Sequence, residues 1–188
     1  MNKLLFYLVL FISFGCSKEK KSDLDVTYNS RDFLLQNGVL QYKGTPFSGI
    51  ITSSDSVYKI TTKISYLAGK KHGEEIKTYD NTTLAEKRFY QHGKKTDTHK
   101  GWWKNGQLKF QYEFNNQGEY HGKVAEWYQN GQQSKVFHFI NGKEDGSQKM
   151  WSSNGKIRAN YVAKNGERYG LIGLKKCYTV STNDETYK

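Results

Sequence analysis

The chain has 188 residues and a formal net charge of +11, and 36% of its residues are hydrophobic. A mean hydropathy of −0.83, with 18 glycines, one proline and 15% aromatic residues, indicates many tight turns between aromatic-rich strands. These values exclude a thick core and favour one all-β domain built as a single sheet with much exposed surface.

The N-terminal segment has the anatomy of a secretory signal peptide. A basic start with Lys3 precedes an 11-residue apolar run at positions 4–14, too short for a spanning helix, which needs about 20 apolar residues. Gly15 and Cys16 close the run and resemble a bacterial lipobox. The resemblance implies cleavage before Cys16 and lipidation of that cysteine; the alternative is an ordinary signal peptide with an incidental cysteine. Removing residues 1–15 takes away one lysine and no acidic residue, so the net charge falls from +11 to +10.

Four segments follow from these features. We predict a signal peptide at residues 1–15, lipidated Cys16 with a flexible tether at residues 16–32, a repeat domain at residues 33–178 and a polar tail at residues 179–188. The last strand is predicted within residues 171–178.

An internal repeat organises the predicted domain. The motif Gly-x-x-x-Gly recurs at steps of 24, 25, 24 and 24 residues, and its lead glycines are Gly69, Gly93, Gly118, Gly142 and Gly166. The copy at Gly93 is degenerate, with Asp97 in place of the second glycine. A fixed period of this size indicates stacked copies of one supersecondary unit.

Each unit is predicted to be a β-hairpin joined to its neighbour by a tight turn. In residues 118–141, strands at 123–128 and 134–140 flank the turn Asn130-Gly131. Asn-Gly tolerates the positive φ that two-residue hairpin turns demand, and this pair occurs six times in the chain. We therefore predict an elongated single-layer antiparallel meander of tandem β-hairpins.

Aromatic residues form predicted columns on one face of this sheet. Period-two alternation groups Leu108, Phe110, Tyr112 and Phe114, then Phe137 and Phe139, then Ile157, Ala159, Tyr161 and Ala163. The first strand of each unit adds Trp102, Trp127 and Trp151 at steps of 25 and 24 residues. These tryptophans either bury the apolar surface of a thin sheet or form a platform on which a ligand stacks.

Units with Gly-x-x-x-Gly, an aromatic residue and then Asn-Gly resemble the MORN-repeat variant family, whose bacterial members are often labelled YwqK-type antitoxins. The resemblance covers about residues 40–170 and is clearest at Gly122 with Trp127 and at Gly146 with Trp151. It implies a twisted antiparallel meander of hairpins. The chain departs from the pattern at Asp97 and at residues 80–82, where Asn-Gly is missing.

The sequence shows no constellation for catalysis or metal binding. It has no Gly-x-Ser-x-Gly motif and no phosphate-binding glycine loop, and its five histidines (His72, His92, His99, His121 and His138) form no pair at ligand spacing. His72 and His121 share a slot of the repeat two units apart, about 19 Å at the usual strand spacing, too far to share a metal. We predict no enzymatic activity, no cofactor and no metal.

Two features leave alternatives open. The scattered lysines either keep a single sheet soluble or bind an anionic partner, and export disfavours nucleic acid as that partner. Cys177 is either a small hydrophobe in a terminal cap or a thiol that contacts an envelope redox or metal protein.

These features together predict a non-catalytic, lipid-anchored lipoprotein of the bacterial cell envelope. Lipidated Cys16 would anchor the protein in the membrane. The repeat sheet would bind a protein partner or anionic lipid headgroups, with Trp102, Trp127 and Trp151 as the candidate binding column. One alternative is an antitoxin-like protein that neutralises a cognate toxin. The other is an accessory of an envelope redox or metal enzyme, acting through Cys177.

Overall fold

A computed structural model of the chain describes residues 24–28 and 31–173. Every regular element in these ranges is a β-strand. The strands are β1 Asp25–Thr27, β2 Phe33–Gln36, β3 Val39–Tyr42, β4 Thr45–Pro46, β5 Gly49–Asp55, β6 Ile60–Leu67, β7 Lys70–Tyr79, β8 Leu84–Gln91, β9 Lys94–Trp102, β10 Leu108–Phe114, β11 Tyr120–Trp127, β12 Gln133–Ile140, β13 Lys143–Glu144, β14 Gly146–Trp151, β15 Ile157–Lys164 and β16 Glu167–Leu171.

Thirteen of these strands form one sheet in which neighbours in space are mostly neighbours in sequence. From β5 to β12 each strand pairs antiparallel with the next; β12 then pairs with β13 and β14, and β15 and β16 follow. A smaller sheet holds β2, β3 and β4. The predicted all-β meander of tandem hairpins is therefore confirmed.

The N-terminal edge of the main sheet differs from the predicted flexible tether at residues 16–32. β1 pairs in parallel with β5, and Val26 lies opposite Ile51. This strand supplies hydrogen bonds to an edge that would otherwise expose unpaired amides, for example from Ile50 N to Leu24 O at 2.8 Å. At the other end β16 stops at Leu171, and most of the predicted last strand lies outside the described residues.

The six Asn-Gly pairs adopt two kinds of turn. The predicted two-residue turn, with positive φ at both residues, occurs at Asn37, Asn141 and Asn165. A type I turn with only the glycine left-handed occurs at Asn105, Asn130 and Asn154. In the second kind the glycine amide donates to the carbonyl three residues back, as from Gly131 to Tyr128 at 2.9 Å. The prediction of a two-residue turn at Asn130-Gly131 is thus wrong, because the loop is one residue longer and ends on a left-handed glycine.

Aromatic side chains link each repeat unit to the next along one edge of the sheet. The indole Nε1 of Trp103 donates to the carbonyl of Trp127 at 3.1 Å. In the units on either side, the hydroxyl of Tyr79 donates to the carbonyl of Trp102 and that of Tyr128 to the carbonyl of Trp151, each at 2.9 Å. In these units, the residue just after the position that Trp102 and Trp127 occupy therefore donates a hydrogen bond to the backbone carbonyl of the tryptophan in the next unit.

The strand register gives the main sheet a face that carries its apolar packing, which we call the core face. Tyr112 lies opposite Val124, and Val124 lies opposite Phe137. The buried cluster on this face consists of Val124, Phe137, Ala159, Tyr161 and Ala163. A second cluster, of Phe33, Phe47 and Ile51, joins the small sheet to the main one.

Bulges move two predicted residues off the core face. Leu108 lies opposite Trp102, and the register shifts before Phe110. Ile157 lies opposite Trp151 and is 53% exposed, whereas Ala159 is 2% exposed. The prediction that Leu108 and Ile157 share the core face is therefore wrong, since the extra residue in each bulge reverses the alternation.

Candidate functional site

A row of side chains crosses the opposite face of the main sheet, which we call the lysine face. The register connects its members strand by strand: Lys63, Ile76, Lys87, Lys100, Gln111, Ala125, Val136 and Lys149. Lys123 lies on the same face, opposite His138. At the usual strand spacing the row is roughly 34 Å long, which is the span of an extended binding surface rather than of a small pocket.

Most lysines of this face have no acidic partner. Lys87 pairs with Glu74 at 2.8 Å, and the ammonium of Lys123 lies 5.8 Å from the centre of the Trp127 ring. In the part of the chain that the structure describes, Lys63, Lys100 and Lys149 form no ion pair. Lys63, Lys100 and Lys149 therefore present unpaired positive charge, on a face that also carries the Glu113 and Asp97 carboxylates.

Most charges on the core face are paired with one another. Of the eight ion pairs among the described residues, six lie on this face. Lys71 contacts the nearly buried Glu75 at 2.6 Å, and Arg88 contacts Glu86 at 2.8 Å. Burial disfavours the ionised form of Glu86, but the hydrogen bond and the charge of Arg88, with help from Lys77, outweigh burial and lower the pKa of that carboxyl. Most of its charge is therefore balanced within the face; Lys95, 5.2 Å from the centre of the Phe114 ring, forms no ion pair in the described chain.

His99 is the most isolated polar side chain of the core face. It is 1% exposed; its Nε2 lies 2.8 Å from the carbonyl of Phe89, and its Nδ1 has no hydrogen-bond partner. Burial lowers the pKa of the imidazole, and the nearby cations Arg88 and Lys95 act in the same direction. His99 is therefore a neutral ring packed between Tyr90 and Phe114, with centroid distances of 5.5 and 4.6 Å.

The three predicted tryptophans lie on the lysine face rather than beside the aromatic residues of the core face. Trp102 follows Gly101, the partner of Phe110, and Trp127 follows Glu126, the partner of Lys135. Because successive side chains of a strand alternate between faces, both tryptophans point away from the core face. All three rings are half-buried, and no contact joins two of them in the described ranges. The prediction of aromatic columns on one face is wrong, because the tryptophan position is one residue out of phase with the core positions.

Two grooves open on the lysine face. A groove of about 660 Å³ lies over β5 to β7 and includes Ile50, Lys63, Ser65, His72, Glu74 and Ile76. A second, of about 640 Å³, is lined by Leu84, Lys87, Phe89, Asp97, Thr98, Lys100 and Trp102. The ion pair between Glu74 and Lys87 connects them. Both volumes lie in the range of small-molecule sites.

The structure brings together one histidine pair that the sequence did not suggest. The rings of His72 and His92 lie 4.8 Å apart between centroids, because turns of adjacent units meet at one edge. The backbone amide of His92 donates to His72 Nδ1 at 3.4 Å, and Asn141 makes the same contact to His121. Among the described residues no three His, Cys, Asp or Glu side chains are arranged to hold a metal ion.

Both predicted cysteine sites, Cys16 and Cys177, lie outside the described residues, as does the signal peptide. Within residues 24–28 and 31–173 there is no helix of the length and apolar character needed to cross a membrane. No model of a protein family matches the chain, and no curated protein matches it.

Proposed function

We propose that this protein is a non-catalytic lipoprotein of the bacterial cell envelope, anchored through lipidated Cys16, whose lysine face binds an anionic partner. That partner is the layer of anionic lipid headgroups around the anchor or an acidic protein surface. The observation that carries the proposal is the set of Lys63, Lys100 and Lys149, aligned in one register row without ion-pair partners in the described chain.

Physical cost supports a binding role over solubility alone. Lys87 and Lys100 lie directly opposite each other on adjacent strands. Like charges in this position are destabilising. Glu74 pairs with Lys87 at 2.8 Å and offsets that charge, which leaves Lys100 as the one without a counter-charge in the described chain. Solubility would be served equally by lysines in turns, where they repel nothing, so a ladder of lysines within the strands favours an external anion as their partner.

The position of the N-terminal strand supports a placement of the sheet close to the membrane. β1 begins at Asp25, so only eight residues, 17–24, separate Cys16 from the sheet. At the reach of an extended chain these residues span at most about 29 Å. A lipid on Cys16 would therefore keep the β5 edge, and the first groove beside it, close to the headgroups.

A footprinting experiment tests the headgroup form of the proposal. The full chain would be reconstituted through its own N-terminus into vesicles of phosphatidylcholine alone or with phosphatidylglycerol, and lysine acetylation would be measured by mass spectrometry. We expect protection of Lys63, Lys100 and Lys149 only in the anionic vesicles, and no change at Lys70, Lys143 and Lys156, which are exposed in turns or at strand starts. Equal acetylation of both groups in both vesicles would contradict it.

The anchor is tested separately by labelling cells with a palmitate analogue. We expect the label on the wild-type chain and its loss in Cys16→Ala; equal labelling would remove the anchor from the proposal. The antitoxin and Cys177 alternatives stay predictions. The first is tested by deleting the gene where a toxin gene lies beside it, since the deletion should then be lethal. The second is tested by Cys177→Ser, since retention of wild-type function in this variant would exclude a role for the thiol.

A further inference from the structure

Asp97 occupies a position that every neighbouring unit gives to glycine. The second glycine of the motif has φ angles of 87°, 102°, 78° and 121° at Gly73, Gly122, Gly146 and Gly170. Asp97 keeps this left-handed conformation with φ of 58°. A side chain here is less favourable than glycine, although Asp adopts the left-handed region more readily than most residues. Within the described residues the Asp97 carboxylate makes no hydrogen bond or ion pair, so it is available to a ligand.

The groove around Asp97 holds further polar groups without partners. Asp97, Thr98 and Lys100 line it together, and none of the three side chains has a hydrogen-bond or ion-pair partner within the described chain. Lys87, whose ammonium pairs with Glu74 at 2.8 Å, lies opposite Lys100 and also lines the groove, as does Trp102. An unpaired carboxylate, a hydroxyl, an unpaired ammonium group and an indole thus line a groove of about 640 Å³.

We propose that this groove binds a pyranose ring that carries an anionic substituent, either the carboxylate of a uronic acid or the phosphate of a sugar phosphate. Lys100 and Lys87 contact the anionic substituent, and Asp97 accepts hydrogen bonds from ring hydroxyls. Trp102 covers the apolar face of the ring. The inference rests on the proposed function only in taking the lysine face as the binding face.

The mixed charge of the groove selects this chemistry. A small anion without hydroxyl groups would meet the Asp97 carboxylate with nothing to donate to it. A neutral sugar would leave the Lys100 ammonium without an anion, because Glu74 pairs only with Lys87. A hydroxylated ring with one anionic substituent satisfies both signs of charge, and the volume lies within the range for small-ligand sites.

Ligand-observed NMR on the full chain in neutral detergent tests the proposal. The probes are glucuronate and glucose 6-phosphate, with glucose, acetate and inorganic phosphate as comparisons. We expect both anionic sugars to bind more tightly than any of the three comparisons, and the tighter one identifies the anion. Trp102→Phe should weaken glucuronate binding and shift its saturation pattern.

Two variants separate binding from folding. Asp97→Gly restores the residue of the other units and relieves the left-handed strain, so its folding stability should rise while glucuronate affinity falls about tenfold. Lys100→Gln should weaken binding by a similar factor. Lys149→Gln is the matched control, because Lys149 also stands two residues before a tryptophan of the column but lies outside the groove.

Wild-type affinity for glucuronate in Asp97→Gly would overturn the proposal, and so would equal affinity for glucose or acetate. The vesicle experiment is independent. A groove that binds glucuronate while the lysines stay unprotected on vesicles would refute headgroup binding and leave the saccharide site standing; the reverse result would refute the saccharide site alone.

Discussion

The two faces of the main sheet share the same strands and a similar supply of charged residues, yet they use charge in opposite ways. On the core face acids and bases contact each other and surround buried rings such as Phe110 and Tyr161. On the lysine face Lys63, Lys100 and Lys149 form no ion pair in the described chain. The difference teaches that the charges of the core face contribute to the fold, whereas these three lysines make no ion pair that would.

The largest loss of folding stability should come from truncating a buried aromatic side chain of the core face. Phe110 is 7% exposed and stacks on Tyr112 at 4.7 Å. We expect Phe110→Ala to lower the free energy of unfolding by about 3 to 5 kcal/mol. Gln111→Ala, one residue away on the lysine face, removes the hydrogen bond to Glu113 at 3.1 Å and should lower it by only about 1 kcal/mol. Urea titration measures both, and equal losses would erase the distinction between the faces.

Removing charge from the lysine face should affect binding and not folding. In the triple variant Lys63→Gln, Lys100→Gln and Lys149→Gln, we expect attraction to anionic vesicles to fall by about 1 kcal/mol per lysine. The measurement is the acetylation of the remaining Lys87 and Lys123, which should lose their protection.

The control for that variant removes the same charge elsewhere, from Lys70, Lys143 and Lys156. It should keep the protection of the lysine face, since net charge falls equally while the row stays intact. Equal loss in the two variants would show that net charge, and not the row, drives attraction.

Acid should weaken the core face through His99. Its folded pKa lies below the unfolded value of about 6.5, so the unfolded chain binds the proton more readily. The stability contributed by the neutral ring is present above pH 6.5 and is lost as pH falls towards the folded pKa. We expect a lower urea midpoint at pH 5 than at pH 7.5.

His99→Gln should flatten that part of the pH dependence. If the urea midpoint of His99→Gln fell between pH 7.5 and pH 5 as much as that of the wild type, the acid sensitivity would belong to other groups.

Removing one of the hydrogen bonds that link neighbouring repeat units should lower folding stability by a smaller amount. Tyr128→Phe removes the hydrogen bond to the Trp151 carbonyl and should lower the free energy of unfolding by about 1 kcal/mol. Tyr58→Phe alters a ring that is 74% exposed and should change nothing measurable. Thermal unfolding compares the pair, and identical midpoints would show that the links between units are not energetically significant.

The smallest effect we expect is a gain. Thr82 takes the place of glycine in the turn after Tyr79 and has φ of 65°, which is unfavourable for a β-branched residue. Thr82→Gly should raise the free energy of unfolding by about 1 kcal/mol. Thr61→Gly, within β6, should lower it, because glycine there adds unfolded-state freedom and removes the hydroxyl that lies 3.3 Å from Ser54 Oγ. A loss of stability in Thr82→Gly would contradict the strain seen in the turn.

Much of the fold could be predicted because the signals are local. The glycine period and Asn-Gly turns specify hairpins within a few residues, and the hairpin meander follows. The candidate site was harder to predict. The histidine pair of His72 and His92 joins residues 20 apart, and bulges near Leu108 and Ile157 reverse alternation in ways no local pattern reveals.

The sequence by itself determined the all-β repeat, its period and its surplus of positive charge, because turn chemistry and composition act on short stretches of chain. Only the tertiary structure decided that the tryptophans share one face with Lys63, Lys100 and Lys149, that most acids and bases of the other face pair, and that Asp97 lines a groove. These facts depend on register and bulges, where a shift of one residue moves every side chain to the opposite side of the sheet.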